Sequence, residues 1–186
     1  MEGNDGNVSN TLRILTIGHS THPVDELIAI LQAHGVTLLA DVRTIPRSRH
    51  NPQFNADTLP AGLAAAGIGY RHLKGLGGLR HALPDSPNSG WQNASFRGYA
   101  DYMLTADFDL HLAELIELAR SAQVAIMCAE AVPWRCHRSL IADALTVRGV
   151  QVEHIMSAKR RDPHRLTRFA LVEGVRITYP AEREEK

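Results

Sequence analysis

At 186 residues, with 44% hydrophobic and 22% charged side chains, the chain is long enough to bury the core of one domain without disulfide staples. Its 20 lysines and arginines balance its 20 aspartates and glutamates, so no global field draws it to nucleic acid or to an acidic membrane, and any nucleic-acid role must rest on a local basic surface. There is no apolar run of membrane-spanning length, residues 1–10 lack the layout of a secretion signal, and the 2 cysteines make no disulfide framework, so the expectation is a cytoplasmic protein whose thiols serve chemistry, metal or packing.

Residues 1–10, rich in Gly, Asn and Ser, are expected to be disordered. Residues 12–17 read as a short buried strand ending at Gly18, and Gly18-His19-Ser20-Thr21 as a strand-to-helix turn. Pro23, Asp25 and Glu26 at the start, Leu27, Ile30 and Leu31 at helical spacing, and Gly35 beyond the end predict a helix with Thr21 or His22 as N-cap. Residues 36–42 are apolar and too short for a helix, so strand, helix and strand make a right-handed βαβ unit with the first two strands parallel. Residues 43–54 turn basic and proline-containing and suit a loop. A short helix over 59–66, stopped by Gly67, leads to a third strand at 68–73. Gly75, Gly77, Gly78, Pro84 and Pro87 predict a long loop or lid up to about Ser95.

The next helical region runs from about Tyr99 to Arg120, with an interruption expected at 107–109. A fourth strand at 124–127, a helix through Leu140 and Leu145 ended by Gly149, and a fifth strand at 150–155 complete the alternation. The prediction is an α/β single-domain three-layer sandwich over residues 11–157, with a mainly parallel central sheet of about five strands. Residues 158–186 read as a basic extension packing on the domain, with Lys159, Arg160, Arg161, His164, Arg165 and Arg168, a terminal strand at 175–179, and a frayed end.

In such sheets ligands bind in the loops beyond the carboxyl ends of the strands, and that rule sorts the polar residues. It sends His19 and Ser20, Asp41 and Arg43, the Gly75–Gly78 loop, and Cys128, Glu130, Cys136, His137 and Arg138 to one edge, with His154 late in the fifth strand. Cys128 reads equally as a small core residue or a reactive thiol. Cys136 is expected in the first turn of a helix, where the dipole and Arg135, His137 and Arg138 favour the thiolate. Glu130 is either a general acid, base or nucleophile, or a cap for the following helix. Asp41 with Arg43 is either an internal ion pair or a pair that holds substrate. Arg43, Arg47 and Arg49 form a basic loop suited to phosphate or carboxylate, or simply a solvated surface.

Several sharper motifs fail. Gly18-His19-Ser20-Thr21 lacks the glycines of a dinucleotide fingerprint, and with no flavin or nicotinamide signature the cofactor is left unknown. Cys128 and Arg135 are spaced one residue too far apart for a cysteine phosphatase or sulfurtransferase cradle, and Glu130 between them would repel the substrate. The thiols and imidazoles lack familiar zinc spacing, so no metal is expected.

With Thr16-Ile17-Gly18-His19-Ser20, Asp41-Val42-Arg43, Pro46-Arg47-Ser48-Arg49, Leu76-Gly77-Gly78, Tyr99-Ala100-Asp101-Tyr102-Met103, Met127-Cys128-Ala129-Glu130 and Cys136-His137-Arg138 in this order, the chain resembles the bacterial domain-of-unknown-function 488 family over roughly Ile14 to Met156. The resemblance implies a single α/β domain and brings no established activity. The motif positions it singles out are His19, Ser20, Asp41, Arg43, Ser48, Arg49, Tyr99, Cys128, Glu130, Cys136, His137 and Arg138, mostly polar and mostly at strand ends.

The first functional expectation is a transferase or hydrolase for a small anionic or nucleotide-like substrate. In it Arg43, Arg49 and Arg138 bind the anion, Glu130 or Cys136 reacts, Asp41 and His19 orient groups or move protons, and Ser20, Ser48, Tyr99, Cys128 and His137 line the substrate. The second is a nucleic-acid-binding protein that uses the basic loop and tail. The third is a thiol-based metal or redox sensor.

Overall fold

The computed structural model describes residues 11–181; residues 1–10 and 182–186, for which the sequence predicts disorder and fraying, lie outside the described residues. The central sheet takes its strands from β1 (Arg13–Gly18), β2 (Leu38–Asp41), β3 (Gly69–His72), β4 (Val124–Cys128), β5 (Gln151–Ser157) and β6 (Arg160–Pro163), in the order β3-β2-β4-β1-β5-β6. The first five are parallel to their neighbours, and β6 runs antiparallel to β5.

Helices cover both faces because alternate strand residues are apolar on both sides. Leu15, Ile17, Leu39, Ala125, Met127 and Ile155 face α1 (Val24–Ala33) and α2 (Leu59–Ala65) through Leu27, Ile30, Leu31, Leu59 and Leu63. Ile14, Ala40, Val42, Ile126, Cys128 and Val152 face the other layer, formed by α3 (Ala94–Tyr102), α4 (Ala106–Ser121) and α5 (Arg138–Thr146). Each buried Leu or Ile contributes about 1.5–3 kcal/mol, so the two layers hold the sheet ends in fixed relation.

The parallel relation expected of β1 and β2 is present, but β4 lies between them. The interruption of the long helical region falls at residues 103–105, earlier than the acidic residues suggested, because the Thr105 side chain accepts from the Phe108 amide and starts α4. The N-cap of α1 is Pro23 rather than Thr21 or His22. The long loop expected over 75–95 is present and pinned: the Asp101 carboxylate on α3 accepts from Leu83 N, Ser86 Oγ and Asn88 Nδ2. The C-terminal segment adds β6 to the main sheet and a hairpin of β7 (Leu171–Glu173) and β8 (Arg176–Thr178), and it buries Tyr179 in the core. No helix among the described residues is long and apolar enough to cross a membrane.

The topology fixes where a site can form. The chain leaves β1 toward α1 on one face, whereas it leaves the neighbouring β4 toward α5 on the other. Loops that diverge from adjacent parallel strands open a crevice between them. Its floor is tight, because His19 N donates to Cys128 O at 2.9 Å and Ser20 N to Ala129 O at 3.0 Å beyond the strand ends. Ser20 has a φ of +48°, a left-handed conformation that turns the chain sharply out of the sheet.

Candidate functional site

The wall from β2 is an ion pair built into the fold. Asp41 is fully buried and accepts from Arg43 N at 3.1 Å, Nε at 2.9 Å and Nη2 at 2.6 Å, and from Tyr70 Oη at 2.7 Å. Burial opposes the Arg43 charge, but the Asp41 carboxylate outweighs it and raises the guanidinium pKa. The remaining nitrogen, Nη1, points at His19 Nε2 at 3.3 Å, and the His19 ring stacks on Phe54 at 4.2 Å. His19 Nδ1 lies 2.8 Å from the Ser20 carbonyl, so Nδ1 carries the hydrogen and Nε2 accepts from Arg43. Burial, helped by the Arg43 charge and opposed by the Ser20 carbonyl, brings His19 down to about 4, so it is neutral at neutral pH. Asp41 and His19 thus orient Arg43.

The wall from β4 carries both thiols. Pro133–Arg135 forms a short 3-10 turn, Cys136 follows it in an extended conformation, and His137 is the N-cap of α5. Cys136 therefore precedes the first helical turn instead of lying in it. A hydrogen bond from Cys128 first, then the Arg138 charge and backbone amide, outweigh burial and lower the Cys136 pKa to about 7. Cys128 is pushed well above the usual thiol range, by burial first and by donating to Cys136 second, although Arg138 Nε rests on its sulfur at 2.9 Å. Of the two thiols Cys136 is the more readily deprotonated, because the Arg138 charge and amide favour its thiolate while burial holds Cys128 protonated.

His137 completes this wall. Its Nε2 lies 2.9 Å from the Val42 carbonyl, which only accepts, so Nε2 carries the hydrogen and Nδ1 faces Cys136 Sγ at 3.4 Å. Burial lowers the His137 pKa and favours the neutral ring that can take a thiol proton. Tyr99 packs on this imidazole at 5.0 Å and donates to the Leu76 carbonyl. A methyl on Gly78 would come within 2.6 Å of Nδ1, so the glycine loop is what lets the chain close over this ring.

Two adjoining cavities lie over these walls. One of about 440 Å³ is lined by Arg43, Phe96, Glu130, Arg135, Cys136 and His137 among others, and Cys128 reaches it. The other, about 450 Å³, takes His19, Ser20, Arg43, Arg47, Ser48 and Asn51, and shares Arg43, Ile45, Ala129 and Glu130 with the first. The cleft thus gathers His19, Ser20, Arg43, Ser48, Cys128, Glu130, Cys136 and His137.

Four expected site residues stand elsewhere. Asp41 lies behind Arg43, and Tyr99 is buried behind His137. Arg49 is exposed on its loop and lines neither cavity. Arg138, expected on the anion, is only 1% exposed and lies beneath the thiols, so it cannot touch a substrate. The Glu130 side chain is exposed at the ridge between the cavities, while its backbone carbonyl accepts from Arg138 Nη2 at 2.7 Å. Sequence reasoning missed Arg135, Phe96 and Asn51 as lining residues; for Arg135 its place beside Cys136 was the available signal. Among the described residues, no group of three or more His, Cys, Asp and Glu is arranged to hold a metal ion.

No curated protein and no solved structure gives a significant match to the chain. The family model described as domain of unknown function DUF488 matches residues 23–145, a span that contains every expected site residue except His19 and Ser20. The chain therefore belongs to the DUF488 family.

Proposed function

We propose that the protein is a transferase or hydrolase that uses Cys136 as nucleophile on a small anionic or nucleotide-like substrate bound in the cleft. The observation that carries this reading is the Cys136 thiol, 3.4 Å from the His137 Nδ1 lone pair, opening into a cavity that also presents Arg43 and Arg135; the lowered thiol pKa supports it. The arginines hold the anionic group, and Arg43 is pre-oriented by Asp41. His137 Nδ1 takes the Cys136 proton and the thiolate attacks the electrophilic atom, forming a sulfur–substrate bond as the bond to the leaving group breaks. The leaving group receives the proton from His137. Water or a second acceptor, deprotonated by neutral His137 or by Glu130, then attacks the same atom and releases the thiolate.

Part of the basic tail is tied to the protein itself, which favours this reading over nucleic-acid binding. Arg160 pairs with Asp162 at 2.8 Å, Arg161 with Glu153 at 2.9 Å, and His164 with Asp143 at 2.8 Å.

Competing alkylators test the proposal. Normalised to a small free thiol, Cys136 is expected to react roughly fivefold faster with anionic iodoacetate than with neutral iodoacetamide, about the 1 kcal/mol of one favourable charge contact. The iodoacetate rate should saturate, and Arg135→Ala should erase the preference. Equal normalised rates would remove the anion from the proposal, and failure of Cys136 to label would remove the nucleophile.

A further inference from the structure

Arg138 is a buried cation with an unusual set of partners. None of the ion pairs among the described residues includes it; its guanidinium rests on the Cys128 sulfur, the Glu130 carbonyl and, at 3.1 Å from Nη1, the Thr16 hydroxyl. A hydroxyl that accepts from a cation must send its own hydrogen elsewhere, and Thr16 Oγ1 lies 2.7 Å from His154 Nδ1. His154 Nε2 is 2.9 Å from His164 Nδ1, and His164 Nε2 is 2.8 Å from Asp143 Oδ1. The other Asp143 oxygen accepts from Tyr179 Oη at 2.8 Å, and Thr167 N also donates to Oδ1 at 3.0 Å.

Because a guanidinium only donates and a carboxylate only accepts, one arrangement of hydrogens satisfies every link with neutral rings. Arg138 donates to Thr16, Thr16 to His154, His154 to His164, and His164 to Asp143. Burial first, with the Arg138 charge acting in the same direction, lowers the His154 pKa and keeps that ring neutral. Each bond polarises the next, so the fully buried Asp143 carboxylate makes the Thr16 oxygen a better acceptor for the guanidinium. Arg138 and Asp143 both belong to α5, so the relay also ties that helix to β1, through Thr16, and to β5, through His154.

We propose that Thr16, His154, His164 and Asp143 are positioning residues that hold Arg138 against the thiol pair in the orientation that makes Cys136 the reactive sulfur. This rests on the reading of Cys136 as nucleophile. The titratable and charged groups around Cys136 are Cys128 from β4, Glu130 and Arg135 from the loop after it, His137 and Arg138 at the start of α5, Tyr99 from α3, and Arg43 across the cavity. Of these, Arg138 alone is held by a chain of side chains remote from the cleft. His154 and His164 also line a second cavity of about 440 Å³, beside Trp91, Trp134 and Met156, so a small molecule can reach the middle of the relay.

The test is the pH dependence of Cys136 alkylation by iodoacetamide in the full chain, read by mass spectrometry. Thr16→Val is expected to raise the midpoint by about one pH unit or more, which lowers the thiolate fraction at pH 7 by about fivefold. Thr16→Ser, which retains the hydroxyl, should keep the wild-type midpoint. His154→Gly should raise it, and added imidazole, entering from the second cavity, should bring it back; this arm carries the test if Thr16→Val does not fold. A merely structural role would lower the melting temperature of Thr16→Val and His154→Gly and leave the midpoint in place, and that result overturns the proposal. A wild-type midpoint near the ordinary thiol value of 9 would instead overturn the reading of Cys136 itself.

Discussion

Asp41→Ala is expected to lower the free energy of unfolding by about 3–5 kcal/mol and the melting temperature by roughly 10 °C. The substitution leaves the Arg43 guanidinium, 8% exposed, without its bidentate acceptor, and leaves the Tyr70 hydroxyl unpaired as well. An uncompensated buried charge costs more than the pair itself contributed, so removing both charges should be milder than removing one. Asp41→Ala combined with Arg43→Met is therefore expected to regain most of the lost stability in thermal melts. A single variant that melts within about two degrees of wild type would show that Asp41 is not what supports Arg43, and would return Asp41 to the list of groups free to act on substrate.

Gly18→Ala is the second large effect, and its sign is diagnostic. At an unstrained position this change stabilises a protein by about 0.4–1 kcal/mol through the unfolded chain. Here the added methyl would overlap the Glu130 carbonyl oxygen, with the carbonyl carbon at 2.6 Å and Arg138 Nη2 at 2.9 Å. Backbone on one side and a buried guanidinium on the other leave it no room. The loop after β4 must move, and Arg138 then loses the Glu130 carbonyl that holds it at 2.7 Å. Destabilisation of about 1–3 kcal/mol is expected, together with slower alkylation of Cys136 near neutral pH. A neutral or stabilised variant would mean that the β1 and β4 loops do not approach this closely.

Both effects arise at strand ends, and strand ends are where the sequence was most legible. Apolar runs bounded by glycine and proline located β1 to β5, and the carboxyl-edge rule brought His19, Arg43, Glu130 and Cys136 to one crevice. Strand order was not legible, because periodicity reports burial and not which neighbour a strand pairs with; the insertion of β4 between β1 and β2 leaves no local mark. Nor was β6, since an edge strand reading Arg-Arg-Asp-Pro has the composition of a solvated tail.

Within the site, the cluster Cys136-His137-Arg138 gave no sign of which member faces the cleft. The turn at Pro133–Arg135 decides it, sending Cys136 and His137 to the cavity and Arg138 under it. The relay spans residues 16, 143, 154 and 164, so no motif scan could assemble it. One trace was present: Asp143 stands in the otherwise apolar stretch Leu140, Ile141, Ala142, Ala144 and Leu145, and a carboxylate among buried helix residues requires partners.

The most direct test of the thiol centre is to follow which cysteine of the unmodified protein takes up limiting iodoacetamide as pH is raised from 5 to 10, with site assignment by peptide mass spectrometry. Because deprotonation creates the nucleophile, modification should rise with pH through the folded-state pKa. Cys136 is expected to label first, with a midpoint at about 7, while Cys128 stays unmodified well beyond it. Labelling of Cys128 ahead of Cys136, or no labelling of either until near pH 9, would contradict a cleft built around an activated Cys136.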